Sequence, residues 1–422
     1  MSTFLTQKSP RLTQALFSRS FAWFWLGQSI STLGDGAFTT ALAVVVYQLT
    51  GSSLIMGLFL MAQTIPELLF TLIGGVAADR LPRRMVLLCA DSGRALTVLI
   101  IAALTWLHLL QIWHLFVLAV LFGLCRSFFH PAYRAITPNL VIKDHIASAN
   151  ALTQLSVQLG KFLGPLLGAG FIGLANGSAS AAFGFDGLTF LLSICSLLAI
   201  RTLPHATSEQ EKDEKKGSPG VLEDIRDGFR TILDSTWLLW SMGAAAFALV
   251  AYTGAMVVAL PKLVLAVYSG GPWLLAAITT SAGVGAIAGA VFVGQVRLRR
   301  RGVIAFLAYV FSGLALLVFT LPVSQNMVIF LALPAAFAVG FGMDVMGIIW
   351  SNLLYEMVPD KKLGRVASVD LLGSLGLLPV GYVLTGWLSD RSGPAFVFFI
   401  GGLSMIILNC IPLLLRSIRR IE

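Results

Sequence analysis

The sequence predicts an all-α integral membrane protein: twelve spanning helices arranged as two pseudo-symmetric six-helix bundles. Three observations carry this. The 422 residues are 57% apolar and only 12% charged, about half the roughly 25% charged share of a soluble domain. Apolar runs of spanning length, about 20 residues at about 1.5 Å rise each, recur along the whole chain. A glycine-rich apolar run closing on a basic loop also occurs twice, about 215 residues apart. The first reads Gly75-Val-Ala-Ala-Asp79-Arg80-Leu-Pro-Arg83-Arg84, the second Gly289-Ala-Val-Phe-Val-Gly294-Gln-Val-Arg297-Leu-Arg299-Arg300-Arg301. A duplicated membrane chain of this kind points to transport, because symmetry-related repeats can rock about a shared central site.

In order, the first half carries spans near 21–48, 53–78, 84–107, 112–130, 147–174 and 180–201. The second carries spans near 236–260, 271–296, 302–322, 326–355, 366–388 and 394–415. Each run is continuous, whereas barrel strands alternate apolar and polar residues. Backbone groups in lipid must be bonded within their own segment, which leaves helices. Connections such as Gly51-Ser52-Ser53 are too short for anything else.

Lys and Arg collect in alternate connections. One set holds Arg80, Arg83 and Arg84; Arg134 and Lys143; Arg297, Arg299, Arg300 and Arg301; and Lys361, Lys362 and Arg365. Lys8, Arg11 and Arg19 at one terminus and Arg416, Arg419 and Arg420 at the other join that side, while the opposite side holds only Lys262 and Arg391. The positive-inside rule places the rich side, with both termini, in the cytoplasm. The formal charge of +9 is then topological, and no nucleic-acid partner is needed to explain it.

Residues 205–220 (HATSEQEKDEKKGSPG) form the single long polar stretch, too poor in apolar groups to fold. Leu222, Ile225, Phe229 and Ile232 follow at helical spacing, which predicts an amphipathic helix along the membrane surface. The expected division is a first bundle at 1–203, a cytoplasmic linker with its surface helix at 204–235, and a second bundle at 236–422. Internal similarity agrees: Asp144-His-Ile-Ala147-Ser148 follows Pro138 as Gly364-Arg-Val-Ala367-Ser368 follows Pro359.

Several functions find no support. Cys89, Cys125, Cys195 and Cys410 all fall inside spans without ligand spacing and read as small apolar side chains. The five histidines are scattered, so no metal site is expected. No phosphate-binding loop is present, and no cofactor is implied. The first apolar run is long enough to span and lacks a small-residue cleavage site, so no cleavable leader is expected. No nucleophile–base pair stands out, so an enzyme is not expected.

These residues carry a family resemblance. Gly75-x3-Asp79-Arg80-x2-Arg83-Arg84, between spans two and three, resembles the signature loop of the major facilitator superfamily, with Pro82 where the family usually has glycine. The resemblance extends over the 6+6 spans and central linker. Gly160-x3-Gly164-Pro165-x2-Gly168-Ala169 is similar to the superfamily's antiporter motif, with Gly-Ala in place of the final glycine pair. Trp25-Leu-Gly-Gln-Ser, Leu33-Gly-Asp35-Gly, Pro131-Ala-Tyr-Arg-Ala-Ile-Thr-Pro138, Ala149-Asn-Ala-Leu and Val358-Pro-Asp-Lys-Lys-Leu-Gly364-Arg365 resemble the bacterial macrolide-efflux and enterobactin-exporter group. The resemblance implies the major facilitator fold, a central cavity lined by spans one, four, seven and ten, and a place in the bacterial plasma membrane.

The motifs also have a direct physical reading. Small residues every third or fourth position let helices approach closely in lipid. Gly160, Gly164 and Gly168 give span five such a face, and Pro165 bends it. By the resemblance, that contact seals one conformation against ion leak; ordinary small-residue packing is the alternative. Asp79 sits at a helix end, where it can bond Arg80, Arg83 or the positive N-terminus of a partner helix. A cytoplasmic gate of Gly75, Asp79, Arg80, Arg83, Arg84 and Asp370 is expected, against the alternative that the cations are only topological anchors.

Ionisable groups within spans are costly, about 2.5–3.5 kcal/mol at a helix centre, and are functional hypotheses by default. Asp35, between Gly34 and Gly36 in span one, is the first candidate for proton or substrate coupling; Glu67 after Pro66 and Asp344 after Gly342 follow. Arg126 resembles the superfamily's span-four arginine, with a structural tie to Asp91-x2-Arg94 as the alternative. Lys161 in mid-span is expected to neutralise a carboxylate, Asp35 or Glu67. Asp186 reads as structural. The expected function is proton-coupled efflux of amphipathic small molecules such as macrolides, lipophilic drugs or a siderophore, by a monomer in contact with membrane lipid. A lipid or lysolipid flippase of the same fold, or a non-transporting receptor or scaffold, are the alternatives.

Overall fold

A computed structural model describes residues 13–200, 221–296, 298–322, 325–414 and 416–419. The expected polar linker at 204–220, with Lys8, Arg11, Arg297 and Arg420, lies outside the described residues, as do the side chains of Lys361 and Arg416. Twelve helices among the described residues are long and apolar enough to cross a membrane, at the twelve expected places. They are α1 (Arg19–Thr50), α2 (Ser53–Arg80), α3 (Arg83–Trp106), α4 (Ile112–Ile136), α5 (Ile146–Leu174) and α6 (Ser180–Ala199), then α7 (Thr236–Val267). The rest are α8 (Gly271–Gln295), α9 (Arg301–Val318), α10 (Gln325–Met357), α11 (Asp360–Gly376 and Leu378–Ser392) and α12 (Pro394–Leu414).

Local chemistry sets the ends and breaks. Gly51 ends α1 in the left-handed region at φ 63°, where a side chain would be strained. The next helix starts one residue on, with the Ser52 hydroxyl accepting from the Ile55 N–H at 3.3 Å. Two π-helical turns, Gly254–Ala259 and Leu263–Val267, flank Pro261 in α7. Proline has no N–H to give the i→i−4 ladder, so the neighbouring turns widen. Helix α11 is interrupted at Leu377, with Pro379 opening its second half. The fourth span runs on past its expected end near 130, to Ile136, because Arg126, His130, Tyr133 and Arg134 face an internal polar cavity rather than lipid.

Helix pairing repeats between the halves. In the first, α1 packs on α5 and α6, α2 on α4, and α3 on α4 and α6; in the second, α7 packs on α11 and α12, α8 on α10, and α9 on α10 and α12. The bundles meet through α2–α11 and α5–α8, pairs that exchange when the halves exchange. The amphipathic helix is present at Val221–Asp234. Its Ile232 packs with Leu238, Met242, Leu354, Val358, Val366 and Val369, Phe229 and Leu233 are exposed, and Asp227 accepts from Arg365 Nη1 at 2.9 Å.

The glycine face of α5 lies against α1 in its own bundle. A Cβ added at Gly164 would come within 2.6 Å of Gly36 Cα and 3.0 Å of the Leu33 carbonyl oxygen. At Gly168 it would meet the Ala37 carbonyl at 2.7 Å. Gly164→Ala is therefore expected to destabilise the chain by about 1–3 kcal/mol, the usual cost of overpacking. Gly243→Ala points into open space and should be neutral. Thermal unfolding in detergent compares them, and equal melting of the two variants would refute the tight α1–α5 contact.

Candidate functional site

Between the bundles lies a cavity of about 460 Å³, lined by α1, α2, α5, α7, α8 and α10. Its walls are mostly apolar: Met56, Met256, Val257, Leu275 and Met343 among them, with Thr39, Thr40 and Thr279. The widened turns of α7 bring Tyr252, Met256 and Pro261 to this wall. Two charged groups enter it, Lys161 from α5 and Asp344 from α10. Lys161 and Asp344 thus reach the cavity from opposite bundles. Asp344 Oδ2 and Gln158 Oε1 are both sealed from solvent and make no hydrogen bond. Asp344, on the other bundle, shares this cavity with Lys161, whereas Asp35 and Glu67 are not part of its lining. Soft, adaptable methionines with a few polar points suit an apolar body of variable shape.

A second cavity, about 530 Å³ and polar, opens within the first bundle among α1, α3, α4 and α5. Gln28, Asp35, Arg94, Arg126, His130, Tyr133, Arg134 and Gln154 line it. It follows the central cavity along the same two helices: Asp35 precedes Gly36 on α1, and Gln154 and Val157 precede Lys161 and Pro165 on α5. Helix α4 contributes here and not to the central wall, where the resemblance had placed it. Asp35 is half-buried, in the field of Arg94 and Arg126. Arg126 Nε lies 3.3 Å from Glu67 Oε1, with His130 Nε2 at 3.6 Å from the same oxygen. Glu67 and Arg126 therefore form a pair between α2 and α4.

Behind Asp35 is a buried network. Arg94 pairs with Asp91, their side chains 4% and 0% exposed. Asp91 Oδ2 also accepts from Ser193 Oγ at 2.7 Å and from Gln28 Nε2 at 3.4 Å. The Arg94 guanidinium lies 3.9 Å from the Phe129 ring centre and 4.5 Å from that of Phe190. The arginine tied to Asp91 is its own neighbour Arg94, so Arg126 is left for Glu67. Asp186 is fully buried beside Gly34, with Thr189 Oγ1 at 3.3 Å from Oδ1.

The signature loop is held within the first bundle. Arg83 Nη1 donates to the Ala135 carbonyl at 2.6 Å and to Asn139 at 3.2 Å. Arg84 donates to the Leu197 and Leu198 carbonyls, each at 2.7 Å. Gly75 has open space around it, and Asp79 and Arg80 are exposed. Asp370 accepts from Trp350 Nε1 at 3.1 Å within the second bundle. The structure does not bring Asp370 together with Arg83 or Arg84.

The closed contact lies at the other end. Asp390, at the C-terminal end of α11, accepts from the Ser53 and Leu54 N–H groups at 2.8 and 3.0 Å, from the Ser52 hydroxyl, and from Lys262 Nζ at 2.6 Å. A carboxylate is ill placed at its own helix C-terminus but well placed at the N-terminus of α2, where free N–H groups and the helix dipole favour an anion. Ser389 adds a hydroxyl bond to Ser53 at 2.9 Å. Beside it a Cβ on Gly386 would be 2.5 Å from the Ser53 carbonyl. The α5–α8 seam closes the same half of the molecule: Thr280 Oγ1 donates to the Phe162 carbonyl at 3.0 Å, and Trp273 Nε1 would lie 3.3 Å from a Cβ at Gly173. Sequence reasoning misses Asp390. The signal was present, because Gly386-x3-Asp390-Arg391 repeats the Gly75-x3-Asp79-Arg80 spacing at the opposite end of the partner helix.

The model of the Major Facilitator Superfamily matches residues 24–376. The chain is 27% identical to the enterobactin exporter EntS of Citrobacter koseri, covering 95% of this chain and 93% of that protein. It is 27% identical to the multidrug efflux pump Tap of Mycolicibacterium fortuitum, over 92% and 94% of the two chains. Similarity to the macrolide efflux protein A of Streptococcus pyogenes is 20% over 95% and 97%. Among solved structures, a crystal structure of the nucleoside transporter NupG superposes with a TM-score of 0.73 at 11% identity, over 94% of this chain and 99% of that one.

Proposed function

This chain belongs to the Major Facilitator Superfamily, and from that premise we propose that it exports amphipathic small molecules in exchange for protons by alternating access. The observation that carries the reading is the pairing of two adjoining cavities along α1 and α5. One is apolar with Lys161 and Asp344; the other is polar and holds Asp35, whose carboxyl makes no hydrogen bond or ion pair among the described residues. A carboxyl left unpaired beside a water-accessible cavity can exchange a proton as access alternates, since burial favours the neutral form and hydration the charged one. Cargo and proton competing for Asp35, with the Glu67–Arg126 pair and the cavity charges Asp344 and Lys161 nearby, gives obligatory exchange. The names of the efflux relatives support the cargo class.

In this reading residues 1–203 and 236–422 move as rigid bundles joined by 204–235, the basic loops lie in the cytoplasm of a bacterium, and the Asp390 contact faces outward. In the opposite state Gly75, Asp79, Arg80, Arg83, Arg84 and Asp370 form the cytoplasmic gate, while the Gly160, Gly164, Pro165 and Gly168 segment keeps α1 and α5 sealed through the exchange. The chain works as a transporter rather than an enzyme, and as a monomer surrounded by lipid.

Everted membrane vesicles energised with a proton gradient test the proposal. A panel of macrolides, lipophilic dyes and a catecholate siderophore is added while a pH-sensitive fluorophore records proton efflux. Substrate-triggered efflux is expected in the wild type and its loss in Asp35→Asn. Efflux surviving Asp35→Asn but lost in Asp344→Asn would move the coupling to the central cavity. Absence of efflux with every compound would overturn drug–proton exchange.

A further inference from the structure

The end of the molecule where α9 begins and α12 finishes carries a cleft that the transport reading does not use. It encloses about 480 Å³ and is lined by Arg300, Val303, Leu307, Leu413 and Arg419. Val303 and Leu307 follow Arg300 at helical spacing on one face of α9, so the wall is cationic at its rim and aliphatic for about 10 Å below it. Leu307 is 50% exposed, which opens this wall to the surrounding hydrocarbon rather than to the transport cavities.

The two arginines differ from other cations of the second bundle. Arg301 is bonded to Glu356 at 2.7 Å and Arg365 to Asp227 at 2.9 Å. The Arg300 and Arg419 side chains are exposed and have no carboxylate partner among the described residues. Arg419 spends one donor, Nε, on the Leu413 carbonyl, which folds the guanidinium back over the cleft and leaves its two terminal nitrogens for an anion. Arg300 stands at the N-terminus of α9, where the helix dipole adds to the attraction for negative charge.

We propose that this cleft binds the phosphate-bearing headgroup of an anionic phospholipid, with the first part of an acyl chain along Val303, Leu307 and Leu413. Two guanidiniums offer forked donors to phosphate oxygens. The aliphatic wall below them has a counterpart in a lipid and none in inorganic phosphate, which decides between the two sources of that chemistry. A site of this kind fixes a lipid at the α9–α12 seam independently of cargo and proton.

The full chain in uncharged detergent micelles, titrated with dioleoylphosphatidylglycerol or dioleoylphosphatidylcholine and followed by native mass spectrometry, tests this. The wild type is expected to prefer the glycerol lipid. Arg300→Gln with Arg419→Gln should weaken that binding by about 25-fold, each surface cation accounting for about fivefold. Lys143→Gln with Lys362→Gln removes the same charge from exposed sites elsewhere and should leave it unchanged. Arg300→Lys with Arg419→Lys should recover part of the loss, and gel filtration confirms that each variant is folded. Equal weakening by the two Gln pairs, or equal binding of both lipids by the wild type, would overturn the site. Displacement of the lipid by equimolar inorganic phosphate would replace the headgroup with a free anion as the ligand and overturn the lipid assignment.

Discussion

Asp390→Ala should open the end of the protein that the α2–α11 contact closes. The carboxylate accepts four donors there, from Ser52, Ser53, Leu54 and Lys262, and removing it leaves the α2 N-terminus and an ammonium without their acceptor. Asp390 and Lys262 are only 26% and 20% exposed, so water replaces the lost bonds incompletely. Charge-assisted hydrogen bonds contribute about 1.5–3 kcal/mol. A net loss of about 3 kcal/mol from the closed state shifts the open-to-closed ratio by about a hundredfold. Lys262→Gln removes one donor of the four and should act in the same direction with a smaller effect. The readout is Met56→Cys, a residue 3% exposed on the cavity wall, in a chain whose four native cysteines are serine. Labelling by an impermeant maleimide in intact cells should rise by about the same factor with Asp390→Ala. An unchanged rate would mean that the Asp390 contacts do not hold this end shut.

Arg94→Met is expected to be the most destabilising change in the first bundle. It removes the cation of a buried pair and leaves Asp91, fully buried, with only Ser193 and Gln28 to bond it. Breaking a buried pair by removing one partner costs about 3–5 kcal/mol, whereas replacing both partners by neutral groups of similar volume costs far less. The guanidinium also loses its contacts with the Phe129 and Phe190 rings, for which a methionine thioether substitutes in part. Asp91→Asn combined with Arg94→Met should therefore be more stable than Arg94→Met alone. Thermal unfolding of the purified variants in one detergent decides it. A double variant no more stable than the single one would show that Arg94 acts through packing rather than through charge.

The spans were legible because length and apolarity are local properties of a segment in lipid, and the twelve helices follow them closely. The amphipathic helix was legible for the same reason: Leu222, Ile225, Phe229 and Ile232 recur at helical spacing whatever lies above them. The close face of α5 showed in the spacing of Gly160, Gly164 and Gly168, though the sequence did not say that α1 is its neighbour. Charge pairing was the illegible part. Lys161 shares its cavity with Asp344, 183 positions away across the bundle seam, and Glu67 takes Arg126 from α4. Such partners are chosen by the packing of helices, which no spacing within one span encodes. Asp390 escaped because an acid near a helix end reads as an ordinary solvent contact until another helix's N-terminus is placed against it.

The interruption of α11 at Leu377 divides one span between two masters. Its first half is tied to the amphipathic helix through Arg365 and Asp227, while its second half carries Asp390 and packs on α2. A continuous helix would transmit torsion from one end to the other. With the backbone ladder cut at Leu377 and Pro379 opening the next segment, the two halves can turn separately, like shafts joined by a clutch. Under the proposed alternating access, release at one face then need not drag on the anchorage at the other, and the swing divides into two smaller steps.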